Sequence, residues 1–269
     1  MSKVMWSRIA ALVALALVAT TASAQSPKEL RDFHDRVSRA IAELSTRQLT
    51  PGDTFLTWNP KPGKLIHTLR SVGTTSSASL LRGDGMIGTA EITWDERGPT
   101  TFESLWTTRD SVTGKPRTDL EAHGTVAGDT LRVTGTKPST TRIPATRWGV
   151  SDFGMEETLI PILRSLPPNG VHTVSIYRPW HGRWDTASVA IRDTAGVRVV
   201  DYREGIALDS SKQTMQLLFL NAQGDLLTIV RFDQPGDRHP LEGSARYEEY
   251  RRFLPLIVRL VKRYRPAET

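Results

Sequence analysis

Thr89-Ala90-Glu91-Ile92-Thr93-Trp94 sets apolar side chains against polar ones in strict alternation. Only an extended chain, whose successive side chains point to opposite faces, gathers such a set on one side, so the stretch reads as a strand with one face in a core and the other in water. The period returns at Thr130-Leu131-Arg132-Val133-Thr134. A single wetted face marks antiparallel sheet. From Thr54 to about Arg147, turn signals at Gly83-Asp84-Gly85, Glu96-Arg97-Gly98-Pro99, Thr113-Gly114-Lys115-Pro116 and Ala127-Gly128-Asp129 cut the pattern into short strands with hairpin-like links, a meander.

Outward from this half the period changes to that of a helix. Met155, Leu159, Ile162, Leu163 and Leu166 fall at helical spacing, with Glu156 and Glu157 in the first turn and Arg164 in the last, where each charge suits the helix dipole. Pro161 kinks or breaks this short helix. Strands resume near 171–178, 184–192, 196–203, 213–221 and 225–233. Tyr247, Tyr250, Leu254, Ile257, Val261 and Tyr264 then place a helix over 245–264, and Ser26-Pro27-Lys28-Glu29 before Leu30, Phe33, Val37 and Ile41 starts another over 27–45. The expected fold is mainly β (α+β): a curled antiparallel sheet or open barrel with N-terminal, central and C-terminal helices, packed against its concave side.

At the start of the chain Lys3 and Arg8 precede an apolar run, Ile9 to Ala19, and a small-residue site, Ala22-Ser23-Ala24. These are the three parts of a secretory signal, and the run is too short for a membrane span, which takes ~20 residues. The reading is a signal peptide over 1–24 and a single domain over 25–269, in the periplasm or secreted. Removal of Lys3 and Arg8 lowers the formal net charge from +6 by two, to +4. So mild a basic balance is no nucleic-acid footprint, and no nucleic-acid partner is expected. The absence of cysteine excludes disulfides, thiolate metal sites and cysteine nucleophiles.

Gly83-Asp84-Gly85-Met86-Ile87-Gly88 matches the dinucleotide fingerprint by letters, but that motif must open a helix and here a strand follows. It reads as a glycine turn. His67 shares a strand face with Leu65 and Leu69, and His172 with Val174 and Ile176, so both read as hydrogen-bonded core histidines; His123, beside Asp119 and Glu121, reads as solvated. No metal site and no cofactor are expected, and without a G-x-S-x-G elbow or S-x-x-K no catalytic residue is assigned. Asp152, Glu156 and Glu157 could supply paired carboxylates, although capping and first-turn charge account for them without chemistry.

The most distinctive stretch is Tyr177-Arg178-Pro179-Trp180-His181-Gly182-Arg183-Trp184-Asp185, a strand link dense in aromatic and cationic side chains. Such a loop suits a sugar face or an anionic head group. With the segment Trp148 to Asp152 it forms the candidate ligand-binding surface: Trp148, Asp152, Arg178, Trp180, His181 and Trp184. The competing account has the tryptophans closing the end of the sheet while Arg178 pairs with Asp185 or Glu156. The basic, aromatic C-terminal helix reads first as a solvated face and second as a peripheral membrane-surface contact.

The run Trp148 to Glu157, the Leu166-Pro167 closure and the Arg178-Pro179 and Trp184-Asp185-Thr186 steps resemble a group of exported bacterial β-proteins, itself similar in outline to the periplasmic lipoprotein carriers. That resemblance spans about residues 50–235 and implies an incomplete antiparallel barrel holding an acyl chain; it carries over no catalytic residue. The expected function is a soluble binding or carrier protein for an apolar or amphiphilic ligand, a lipid or amphiphilic small molecule. The alternative is a carbohydrate-active hydrolase using Asp152 or Glu156 with a distant acid such as Asp185.

Overall fold

Ile87–Trp94 is a strand, and its buried residues are Gly88, Ala90, Ile92 and Trp94, the alternation of the sequence made physical. The computed structural model describes residues 53–57, 65–72, 74–81, 86–110, 113, 115–152, 155–204, 214–232, 237–240 and 246–264, all within one unit spanning Thr50–Thr269. The expected signal segment, the expected helix over 27–45 and the glycines at 83 and 85 lie outside the described residues. So does the His67 side chain.

The first half is the expected meander: β1 (Asp53–Thr57), β2 (Leu65–Val72), β3 (Thr75–Leu81), β4 (Ile87–Trp94), β5 (Pro99–Arg109), β6 (Pro116–Ala127), β7 (Thr130–Gly135) and β8 (Ser139–Arg142). Then come β9 (Arg147–Val150), a 3-10 turn at Glu156–Leu159 and α1 (Ile160–Ser165). Pro161 stands in the first turn of α1, where a missing N–H costs nothing, so it marks the junction of the two helical pieces. The second half holds β10 (Gly170–Arg178), β11 (Arg183–Thr194), β12 (Val197–Glu204), β13 (Thr214–Leu220), β14 (Leu226–Arg231), β15 (Arg238–Pro240) and α2 (Tyr247–Tyr264).

These strands form one ladder in the order β8-β7-β6-β5-β4-β3-β2-β1-β15-β14-β13-β12-β11-β10-β9. Pairing of β1 with β15 joins the two meanders, and every pairing is antiparallel except β9 with β10. The ladder does not close; it rolls over itself. The β9–β11 end lies against β5–β8: Phe102 and Tyr177 rings are 5.9 Å apart, Ser139 Oγ is 2.8 Å from Tyr177 Oη, and Trp184 Nε1 donates to Thr141 Oγ1 at 3.2 Å. With the other face of β9–β11 turned to the central helix, Val174 to Arg178 are buried without alternation.

Two glycines make the close approach of rings possible. A Cβ on Gly88 would stand 2.7 Å from the Trp106 ring, and one on Gly124 would overlap the Phe102 ring. Each glycine is the cross-strand partner of the aromatic residue that covers it. The concave face collects Ile92, Phe102, Trp106, Val200, Leu218 and Ile229 around Met155, Leu159 and Leu163 of the central helical segment. On the opposite face Val199, Leu217, Phe219 and Leu227 pack with Tyr250 and Ile257. The C-terminal helix therefore covers the convex side, not the concave one expected, because Val199 and Val200 are both buried and β12 and β13 have an apolar set for each face.

Candidate functional site

The parallel pairing of β9 with β10, in the register Trp148↔Ser175 and Val150↔Tyr177, sets side chains from either side of the central helix on neighbouring strands. Trp184, the partner of Tyr177 across the β10–β11 hairpin, completes the group. Its ring centroid lies 5.3 Å from Tyr177 and 5.4 Å from Trp148, both edge-on, the geometry favoured by ring quadrupoles. Trp180 meets Trp106 edge-on at 6.0 Å. The face of Trp184, opposite Ala187 and Val189 as expected, is thus covered by Trp148 and β8.

Asp152 and Arg178 tie this cluster to the central segment. Asp152 Oδ2 accepts from the Trp180 amide at 2.9 Å, while Lys137 Nζ donates to the Trp180 carbonyl at 2.6 Å, so the turn is held by both ends of one residue. Arg178 donates to the Ser151 carbonyl at 2.9 Å and forms ion pairs with Glu204 and, at 3.8 Å, with Asp185. Burial pushes the Asp152 carboxyl up to about 7, against the lowering effects of the Trp180 amide, Arg178 and Lys137. His181 is exposed in the turn, its amide bonded to the Arg178 carbonyl. Every other residue of the predicted surface is packed into this cluster.

Glu156 and Glu157 stand in the first helical turn, as expected, but neither they nor Asp152 serves as a cap and the two glutamates do not face water. No side chain caps the 3-10 turn, whose N-cap position is Met155, and Glu156 and Glu157 are 3% and 1% exposed. Their partners come from the concave face of the second meander. Arg238 meets Glu156 at 2.8 Å and also Glu157, Arg231 lies 3.6 Å from Glu156, and Gln216 Nε2 donates to Glu156 at 3.1 Å. Burial would raise the Glu156 carboxyl, but Arg238 and then Arg231 outweigh it and hold the group well below the usual carboxylate range. A carboxylate clamped in this way anchors the central segment to the sheet and has no proton to give as an acid. The missed signal was parity: Gln216 shares a face with Leu218, and Arg231 pairs with Gln216 across the ladder.

His172 bonds the Pro167 carbonyl at 2.8 Å, as expected, but it is half-buried at the edge and not in the core, since its face of β10 is covered only from Val174 onward. His123 is exposed beside Glu121 at 3.0 Å, which raises its pKa. Among the described residues no group of three or more metal-ligating side chains is placed to hold an ion, and no helix is long and apolar enough to cross a membrane.

A surface cleft of about 450 Å³ opens where α1 meets the β4–β5 link. Trp94, Pro161 and Ile162 supply its apolar floor, and Arg97, Arg147 and Arg164 stand round it. The walls are fixed locally. Trp94 Nε1 donates to Ser76 Oγ at 2.7 Å, and Asp95 Oδ1 accepts from the amides of Arg97 and Gly98 at 2.7 and 3.0 Å. Arg198, held by Asp193 at 2.8 Å, donates to the carbonyls of Arg164 and Leu166 at 2.6 and 3.2 Å and so satisfies the end of α1. Neither Asp152, Glu156 nor Asp185 lines this cleft, and none of the aromatic residues predicted for a binding surface opens into it.

No family model and no curated relative matches the chain. It is similar to a solved bacterial protein. That structure is the beta-barrel-like protein of domain of unknown function DUF1849 from Brucella abortus, 9% identical, covering 69% of this chain and 91% of its own, with a TM-score of 0.46.

Proposed function

We propose that this chain is an exported binding or carrier protein for an apolar or amphiphilic ligand, and that the cleft between the β4–β5 link and α1 is the place where the ligand sits. One observation carries the reading: an apolar floor of Trp94, Pro161 and Ile162, open to the surface and of a volume in the range of small-molecule sites. The concave face offers less, because Met155, Leu159 and Leu163 already fill it. The three-part N-terminus, with Ala22-Ser23-Ala24 as cleavage site, supports export. The exposed cations Arg252, Arg259, Lys262 and Arg263 on α2 support a peripheral contact with an anionic membrane surface.

The test uses mature protein prepared without detergent and titrated with Nile red, a neutral apolar dye. Saturable binding is expected, and Thr74→Trp with Ser165→Trp, two exposed positions on the cleft wall, should weaken it at least tenfold with no change in circular dichroism. Absence of saturable binding, or binding indifferent to these blocking side chains, overturns the proposed site.

A further inference from the structure

We infer that the ligand of this cleft carries an anionic head, a carboxylate or a phosphate monoester, held by Arg97, Arg147 and Arg164; the inference rests on the binding reading above. The three arginines come from separate segments, the β4–β5 link, the start of β9 and α1, and all line one cleft. No carboxylate among the described residues lies within ion-pair distance of any of them. Other surface arginines do find acids, among them Arg117 with Asp119, Arg142 with Asp129, Arg183 with Asp185, Arg203 with Asp201 and Arg246 with Asp225, and exposed ones without an acid among the described residues, such as Arg132 and Arg259, are not gathered at this cleft.

The two acids on the cleft wall, Asp95 and Glu96, form no ion pair with the arginines and leave the lining with an excess of one positive charge. Asp95 spends an oxygen on the amides of Arg97 and Gly98, holding the link in shape, and what Arg147 takes from Glu96 is its backbone carbonyl, at 3.5 Å. The Arg164 carbonyl accepts from Arg198, and its aliphatic stem lies over Gly224, so this arginine stands between the cleft and a second one that it also lines. Guanidinium groups bind carboxylate and phosphate in a planar, two-pronged fashion and stay charged at any physiological pH. Cations at the rim of an apolar floor sort a ligand by its two ends: head to the arginines, hydrocarbon to Trp94 and Ile162.

The experiment compares decanoate, decyl phosphate and uncharged decanol, each below its micelle concentration, by calorimetry on the mature protein. Both anions should bind at least tenfold tighter than decanol, and the stronger of the two identifies the head group. Arg147→Gln and Arg164→Gln, both exposed and so expected to fold normally, should each weaken the anions three- to tenfold, and about thirtyfold together, while decanol binding stays unchanged. Arg132→Gln, exposed on β7 and away from the cleft, serves as the control for general charge. Equal affinity for anions and decanol overturns this inference and leaves the binding reading standing, whereas failure of all three probes removes both. An equal loss in the Arg132→Gln variant would also overturn it, by showing that net charge and not the cleft attracts the anion.

Discussion

At Asp152 burial and hydrogen bonding oppose each other. The carboxyl is 2% exposed and accepts one amide hydrogen bond, with Arg178 and Lys137 near enough to favour its charge, yet burial dominates and its pKa rises to about 7. An acid whose folded pKa exceeds its unfolded value binds extra protons when folded, so its stabilising effect is complete below about pH 4 and is lost as pH rises through 7. Asp152→Asn keeps an oxygen for the Trp180 amide and removes the buried charge. The variant should match the parent near pH 4 and exceed it by a few kcal/mol at pH 8, because each tenfold change in proton affinity on folding is worth about 1.4 kcal/mol. Urea denaturation at the two pH values measures this, and a difference independent of pH would refute it. The partner of Asp152 was not legible in the sequence, because an acid ahead of a helical run looks the same whether it caps that run or reaches across to a hairpin turn. For the same reason Glu156 and Glu157 read as dipole charges: their guanidinium partner, Arg238, lies more than 80 positions away and outside any clear periodicity.

At the scale of elements, periodicity sufficed wherever one face of a strand was wet. The strands from 87 to 135 and from 170 to 231 stand close to where alternation and turn residues put them, since hairpin links leave little freedom of register. Elements of three or four residues escaped, β8, β9 and β15 among them, because a period of two needs more positions than that to show. Parallel pairing of β9 with β10 was also hidden: its partners are separated by the whole central helix, and burial on both faces removes the alternation. That pairing is testable because the chain has no cysteine of its own. Thr146 Oγ1 and Ser175 Oγ are 2.6 Å apart. The double variant Thr146→Cys with Ser175→Cys should oxidise to a single intramolecular disulfide, detected as a loss of two hydrogens by mass spectrometry, with a raised thermal midpoint. Two thiols that remain reduced under oxidising conditions would contradict the register.

In the whole molecule, two meanders are made one by a narrow seam. β15 is three residues long, yet it pairs with β1 on one side and β14 on the other, and its Arg238 reaches through to Glu156 and Glu157 of the central segment. No local feature of the sequence announces this seam, nor the rolling of the sheet that lays Trp106 on Trp180; both follow from contacts across the chain, and so does the convergence of Arg97, Arg147 and Arg164 on one cleft. The seam makes a strong demand on energetics. Arg238 is 1% exposed, and removing one member of a buried ion network leaves the others charged in a medium that solvates them poorly, which costs about 3–5 kcal/mol. Arg238→Met, of similar volume and without charge, should therefore lower stability by that amount, and adding Glu156→Gln and Glu157→Gln should recover a good part of it. Because the Trp106–Trp180 and Phe102–Tyr177 ring pairs join the β5–β8 end to the β9–β11 end, the loss should appear as one transition, with near-ultraviolet circular dichroism from the packed rings and far-ultraviolet circular dichroism from the strands moving together. Separate midpoints for the two signals would mean that the meanders unfold independently, and a loss well below that range would mean that the Arg238 network does not hold them together.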